Sequence, residues 1–315
     1  MSERGRRPLA GADARAGQAS GASRVRPFAR RLPSALVTPR TLAAGLSKHA
    51  LLLFGGAVAA FPFYWMITTS FKELPEAART PPVLWPSSWH PENWIAAWQY
   101  PHTLWGNAFV NTIFIATATT VGVLTTSVLA GYAFARMSFR GKSVLFAILL
   151  ATIFIPGEAT LIPNFVLMSR RFLGWYDTYT AQIVPFLASV FSIFLLRQFF
   201  LSVPQELQDA ARIDGAGHLR FLWYVALPLV RPALITVALI EFLASWNAFL
   251  WPLIITSRPE IRPIQVQLVQ FTSEGGSQYH LLMAGAAFVI LPTLVVYLVA
   301  QRYFIEGVAR TGIRG

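Results

Sequence analysis

Residues Val203 to Pro232 read VPQELQDAARIDGAGHLRFLWYVALPLVRP, a polar interruption of helix–turn–helix length between two long apolar runs. The pattern predicts a short helix over Pro204 to Ile213. Proline suits a first helical position, and Glu206 and Asp209 lie near the positive end of the helix dipole. Leu207, Ala210, Ala211 and Ile213 fall on one side at 3.6-residue spacing. Asp214-Gly215 supplies a turn, since glycine tolerates the positive φ that ends a helix. A second amphipathic run from His218 to Leu227 is expected to stop at Pro228.

Outside this stretch the composition is that of a membrane chain. Apolar residues make up 55% of the 315 residues and charged ones 13%, with a mean hydropathy of +0.50. Soluble domains carry about twice that charged fraction. Six runs, near 50–70, 106–135, 144–168, 179–200, 233–256 and 281–304, are apolar enough to cross a core of about 30 Å, which takes about 20 helical residues. Backbone groups must be satisfied internally in lipid, so these runs are expected as helices. With the N-terminus inside, the alternating segments hold 20 cations on the cytoplasmic side and 6 outside. That balance places both termini and 203–232 in the cytoplasm. Arg170 and Arg171 are read as solvated charges of an outer loop.

The net charge of +12 does not point to nucleic acid, because it follows this topology and ten cations, nine of them in the N-terminal tail, precede the first apolar run. That tail, 1–46, reads as a basic, disordered segment drawn to anionic headgroups, ahead of a six-helix domain at 47–315. It has no signal-peptide apolar region. Cysteine is absent, which excludes disulfide and thiol chemistry. The five histidines lie in separate loops or at span ends without chelating spacing, and there is no Gly-rich nucleotide loop ending in Lys-Ser or Lys-Thr.

The 203–232 stretch resembles the cytoplasmic EAA loop of ABC importer permeases. The matching residues are Pro204, Glu206, Leu207, Asp209, Ala210, Ala211, Asp214, Gly215, Ala216, Leu227, Pro228, Leu229 and Pro232, with Asp209 standing where the pattern has glutamate. Gly131-Tyr132-Ala133-Phe134-Ala135-Arg136 with Gly141-Lys142, Phe242 with Trp246-Asn247, Phe249, Pro252 and Leu253, and the tail Gln301-Arg302-Tyr303-Phe304 with Gly307-Val308 and a closing Gly315 are similar to the carbohydrate branch, specifically its smaller, second maltose-type permease. The tail departs from the usual Ala-Val-Lys-Gly ending, reading Gly312-Ile313-Arg314-Gly315. The resemblance implies an all-α integral membrane protein with six transmembrane helices of the type I ABC importer permease fold. It implies a second permease subunit, a cytoplasmic ABC ATPase dimer and an extracytoplasmic solute-binding protein as partners, and no cofactor in this chain, ATP being bound by the ATPase. It also implies that Glu206, Leu207, Asp209, Ala210, Ala211, Asp214, Gly215 and Ala216 form the ATPase-coupling surface. A permease for an amino acid, peptide or ion, and a polytopic membrane enzyme, are the alternative functions. The enzyme would need ionisable residues converging at one depth, and they are scattered.

Four polar residues within the apolar runs are candidates for the translocation pathway. Glu158 follows Pro156-Gly157, where helix is broken; it is either a gate residue or a carboxylate near the outer interface. Glu241 lies about 12 Å into the fifth run and either pairs with a cytoplasmic cation or lines a cavity. Asn247 and Gln182 suit either sugar hydroxyls or bonds between helices. Trp85, Trp89, Trp94, Trp98 and Trp105 gather in the first outer loop, fitting an interfacial belt and the packing of a partner-facing loop.

Overall fold

A computed structural model describes residues 39–273 and 276–311. Most of the expected tail, 1–38, lies outside the described residues, as does the ending Gly312–Gly315; helix already begins at Pro39, within the 1–46 range. Contacts group residues 58–315 as one unit and 1–57 as another.

Helix α1 spans Pro39–Ser70. A linking segment with two short helices, α2 (Leu74–Ala77) and α3 (Glu92–Trp98), leads to α4, Trp105–Arg136. Next come α5 (Lys142–Ala151), continued to Phe154 by a 3-10 turn, and α6 (Gly157–Met168). The run expected over 144–168 is therefore not straight. Its halves meet at 99°, because Pro156 is extended and cannot carry the hydrogen-bond ladder onward. Helices α7 (Tyr179–Ile183) and α8 (Val190–Ser202) are bent by 44° around Leu187–Ser189.

The 203–232 stretch holds α9 (Gln205–Ile213), α10 (His218–Phe221), a π-helical turn at Leu222–Ala226 and α11 (Leu227–Leu229). Helix α12 (Arg231–Trp246) leaves it at 81°, and α13 (Leu250–Ile255), α14 (Ile264–Gln267), a two-residue hairpin of β1 (Thr272–Ser273) and β2 (Gly276–Ser277), and α15 (Tyr279–Thr311) complete the order. The fifth run is thus α12 and α13 separated at Asn247–Phe249 rather than one span over 233–256. Among the described residues three helices are long and apolar enough to cross a membrane, and three bent pairs bring the number up to six where each pair counts as one span. The fold is helical throughout its apolar segments.

In the 58–315 unit, α4 is the central post and packs on both α8 and α12. Gly131 permits the first contact: a Cβ there would lie 3.2 Å from Arg197 N and Ile193 O, so only hydrogen lets the two backbones approach this closely. Two apolar clusters occupy opposite stretches of that post. One gathers Val128, Tyr132, Leu196 and Phe200 around Phe221, Leu222 and Ala226 of the 203–232 stretch. The other gathers Trp105, Ala108, Trp246, Phe271 and Leu281.

Candidate coupling surface and internal cavity

Helix α9 is amphipathic, but its buried side is not the one its apolar residues suggest. Gln208 is buried and Ala211 half-buried, whereas Leu207 and Ile213 are exposed beside Glu206, Asp209, Ala210 and Asp214. The apolar and acidic residues thus share a single outward surface. Pro204 is extended and precedes the helix, which begins at Gln205. Gly215 has φ +78, the left-handed turn expected of it, and Ala216 N closes that turn on Ala211 O at 2.8 Å. The second run does not stop at Pro228. The helix runs unbroken through a π turn at Leu222–Ala226, which widens it ahead of the proline, and ends one residue past Pro228 at Leu229. Phe221 and Leu222 pin this half to α4 and α8, each burial being worth about 1.5–3 kcal/mol against exposure to water.

The stretch is also held by Arg136, at the end of α4. Its Nε donates to Phe200 O (2.9 Å), Nη1 to Gln205 Oε1 (2.8 Å) and Nη2 to Val203 O. One guanidinium therefore closes the end of α8 and fixes the start of α9. Tyr132 Oη lies 3.2 Å from His218 Nδ1, bridging α4 to α10. From sequence, Arg136 stood out as a cytoplasmic cation and as the last residue of the Gly131–Arg136 motif, but not as a clamp; its place at the end of a long helix, facing free carbonyls, was the available signal.

A cavity of about 190 Å³ lies between α4, α7, α12 and α13. Two of the four pathway candidates, Gln182 and Glu241, line it together with Thr112, Thr119, Ser245 and Trp251. Glu241, Ala244, Ser245 and Ala248 recur at helical spacing, so one side of α12 and its exit supplies a wall. Ser192 donates to Glu241 Oε1 at 2.5 Å, and no cation pairs with Glu241 among the described residues. Gln182 Nε2 donates to Ile261 O (3.2 Å) while its Oε1, like Thr119 Oγ1, is buried with no partner. Unpaired buried polar atoms beside an indole and a carboxylate suit a hydroxylated solute or ordered water.

The other two candidates lie elsewhere. Asn247 is exposed at the end of α12; its Nδ2 donates to Leu243 O (2.8 Å) and its Oδ1 accepts from Gln265 Nε2 (3.2 Å). It finishes a helix rather than facing the cavity. Glu158 is exposed in the first turn of α6, beside the 99° bend. Thr119, Ser192 and Trp251 were missed. Thr112, Ile115 and Thr119 share one side of α4 and face the cavity. Among the described residues no three His, Cys, Asp or Glu side chains converge as a metal site.

The Trp cluster divides into two kinds. Trp105 is 2% exposed and its Nε1 donates to Ala97 O (2.9 Å), making it a core residue rather than an interfacial one, whereas Trp85 and Trp89 stay exposed. Asp177 joins the segments after α6 and α13: it accepts from Ser257 N (2.8 Å), Arg258 N (3.1 Å) and Arg258 Nε (3.0 Å). Burial opposes its charge, but these N–H bonds and the guanidinium outweigh that and hold its carboxyl below the usual range.

Residues 122–310 match the family described as binding-protein-dependent transport system inner membrane component. The chain belongs to this family. The permease is 34% identical over 260 residues to an arabinooligosaccharides transport system permease protein of Halalkalibacterium halodurans, covering 82% of this chain and 92% of that one. It is 32% identical over 267 residues to an sn-glycerol-3-phosphate transport system permease protein of Yersinia pestis bv. Antiqua, covering 82% and 94%. Among solved structures it is similar to a chain of a bacterial ABC transporter involved in the import of the acidic polysaccharide alginate, with a TM-score of 0.72 and 26% identity over 85% of this chain and 98% of that one. The permease is an inner-membrane transport component of an ABC importer, and its relatives are transport permeases, not enzymes.

Proposed function

We propose that this permease subunit translocates a carbohydrate or a related polyol derivative by alternating access, powered by a separate ATPase that grips the 203–232 stretch. The carrying observation is the outward surface of α9, where Glu206, Leu207, Asp209, Ala210 and Asp214 stand together on a helix anchored from beneath by Ala211, packed against the cluster around Phe221, and by the bond from Arg136 to Gln205. A rigid stalk with a mixed apolar and acidic tip fits a cleft carrying Arg or Lys, and its anchors pass movement directly into α4 and α8. The cavity beside Gln182 and Glu241 supports the solute reading, since acceptors and an indole suit sugar hydroxyls. Relatives named for arabinooligosaccharide, glycerol phosphate and alginate transport share that polyhydroxylated chemistry.

A second permease subunit, an ATPase dimer and a solute-binding protein complete the proposed assembly; the alginate transporter has been crystallised with its pentasaccharide-bound periplasmic protein. The charge balance supports both termini lying in the cytoplasm. The assembled importer, given its binding protein and a panel of sugars, should show ATPase stimulation and uptake with a carbohydrate. Stimulation by amino acids or peptides alone would refute the sugar reading. Single cysteines at Ser87 and Arg140 test orientation: an impermeant reagent should label only position 87 from outside intact cells.

A further inference from the structure

A second opening lies at the same end of the bundle as the 203–232 stretch, between α4, α5 and α8. It measures about 270 Å³ and is lined by Lys142, Ser143, Phe146, Ala147 and Leu150 of α5, Phe134 of α4 and Arg197 of α8. Two cations face one space here, and no carboxylate among the described residues lies within ion-pair distance of either. Arg197 sits with its guanidinium carbon 4.3 Å from the centre of the Phe146 ring, and its Nε donates to Phe134 O at 3.1 Å. Its two terminal nitrogens find no acceptor among the described residues. Lys142 Nζ donates to Met137 O (2.9 Å) and Ala135 O (3.4 Å), both neutral carbonyls. The walls are aromatic and apolar: Phe134 and Phe146 have ring centres 5.3 Å apart. Both cations are half-buried. Placing like charges in such surroundings is unfavourable unless an anion offsets their desolvation and repulsion.

We infer that this pocket holds the phosphate of an anionic phospholipid headgroup. This rests on the reading that α4, α5 and α8 cross the bilayer, which puts the turn from Met137 to Gly141 at its edge. The guanidinium fork of Arg197 suits two phosphate oxygens and the ammonium of Lys142 a third, with the Ser143 hydroxyl beside them. Val144, Leu145 and Ile148 on the same helix are exposed and apolar, giving an acyl chain a surface to lie along. A free phosphate would gain nothing from that surface or from the phenylalanine walls. Basic pockets between membrane helices near the cytoplasmic edge recognise such headgroups in this way.

The test uses the assembled importer, with its partner permease and ATPase, reconstituted in nanodiscs of phosphatidylcholine with a minor share of phosphatidylglycerol. After extraction, native mass spectrometry counts the lipids retained. The wild type should hold phosphatidylglycerol in preference to phosphatidylcholine, with that preference lowered about tenfold in the Lys142→Gln, Arg197→Gln double variant. Arg197→Lys should keep part of it. If the double variant fails to assemble, Arg197→Gln alone should show the loss. Equal retention in wild type and variant would overturn the inference. So would displacement of the lipid by inorganic phosphate, or cross-linking that places a carboxylate of the partner permease against Lys142. Transport is not the readout, so failure here is separable from failure of the carbohydrate reading.

Discussion

The two ends of the bundle use their charges in opposite ways. In the segments linking α1 to α4 and α13 to α14, several charged groups are spent internally. Lys72 is fully enclosed, donating to Val83 O at 2.5 Å and lying 4.3 Å from the centre of the Trp65 ring. Burial pushes its ammonium below the ordinary lysine range, partly countered by Glu76. Glu76 Oε1 accepts from both N (2.9 Å) and Oγ (2.8 Å) of Ser87, His90 lies between Glu73 and Glu92, and Asp177 is clasped by Arg258. At the 203–232 end, Glu206, Asp209, Arg212 and Asp214 form no ion pair among the described residues, and Asp209 meets only Gln205 Nε2 at 3.3 Å. A region that satisfies its own charges gains a fixed shape. One that leaves them facing water on a firmly anchored helix has charges to offer, which is the basis of the proposed contact with the ATPase.

That contrast can be broken most forcefully through Trp105. Its removal as Trp105→Ala should lower stability by about 3–5 kcal/mol, since a fully buried indole and its bond to Ala97 O are lost. Thermal unfolding of the assembled importer would show this, and ATPase retention below the transition should be unchanged. Arg136→Ala leaves Phe200 O, Val203 O and Gln205 without their donor, an effect of about 1–3 kcal/mol. Amides of 205–213 should then exchange faster while those of 257–267 do not; uniform acceleration at both ends would erase the distinction.

Asp177→Asn should be smaller, about 1 kcal/mol. The folded-state carboxyl titrates below its unfolded value of about 3.9, so its stabilisation is present above that pH and lost as pH falls through the folded value. The difference in Tm between wild type and variant should therefore hold from neutrality to about pH 4 and close below it. A gap that persists at lower pH would show that the contacts do not depend on the carboxylate charge.

The helical class and the 203–232 stretch were legible because each rests on local signals: apolar length, proline and glycine positions, and charge placement. Gly215 is the clearest case, its φ of +78 following from a turn that only glycine enters freely. Bends were less legible. Pro156-Gly157 marked one, but the break at Asn247–Phe249 has no proline, and the apolar run hides it. The cavity was half legible. Gln182 and Glu241 stood out as polar groups in apolar runs, whereas Thr119 and Ser192 look like ordinary helix residues until α4, α8 and α12 are packed together. Which side of α9 is buried could not be read from spacing, because Arg136 and Phe221 decide it from distant positions.

The most direct test of the account is retention of the ATPase by the assembled importer carrying Asp209→Ala or Gly215→Val. Asp209 offers an unpaired carboxylate on the exposed side of α9, and a β-branched residue at the positive φ of position 215 would misdirect α10. Both variants should insert normally in the membrane yet lose ATPase on purification and lose transport, and Asp209→Glu should retain both. Wild-type retention and wild-type transport in Asp209→Ala and Gly215→Val alike would contradict the assignment of 203–232 as the coupling element.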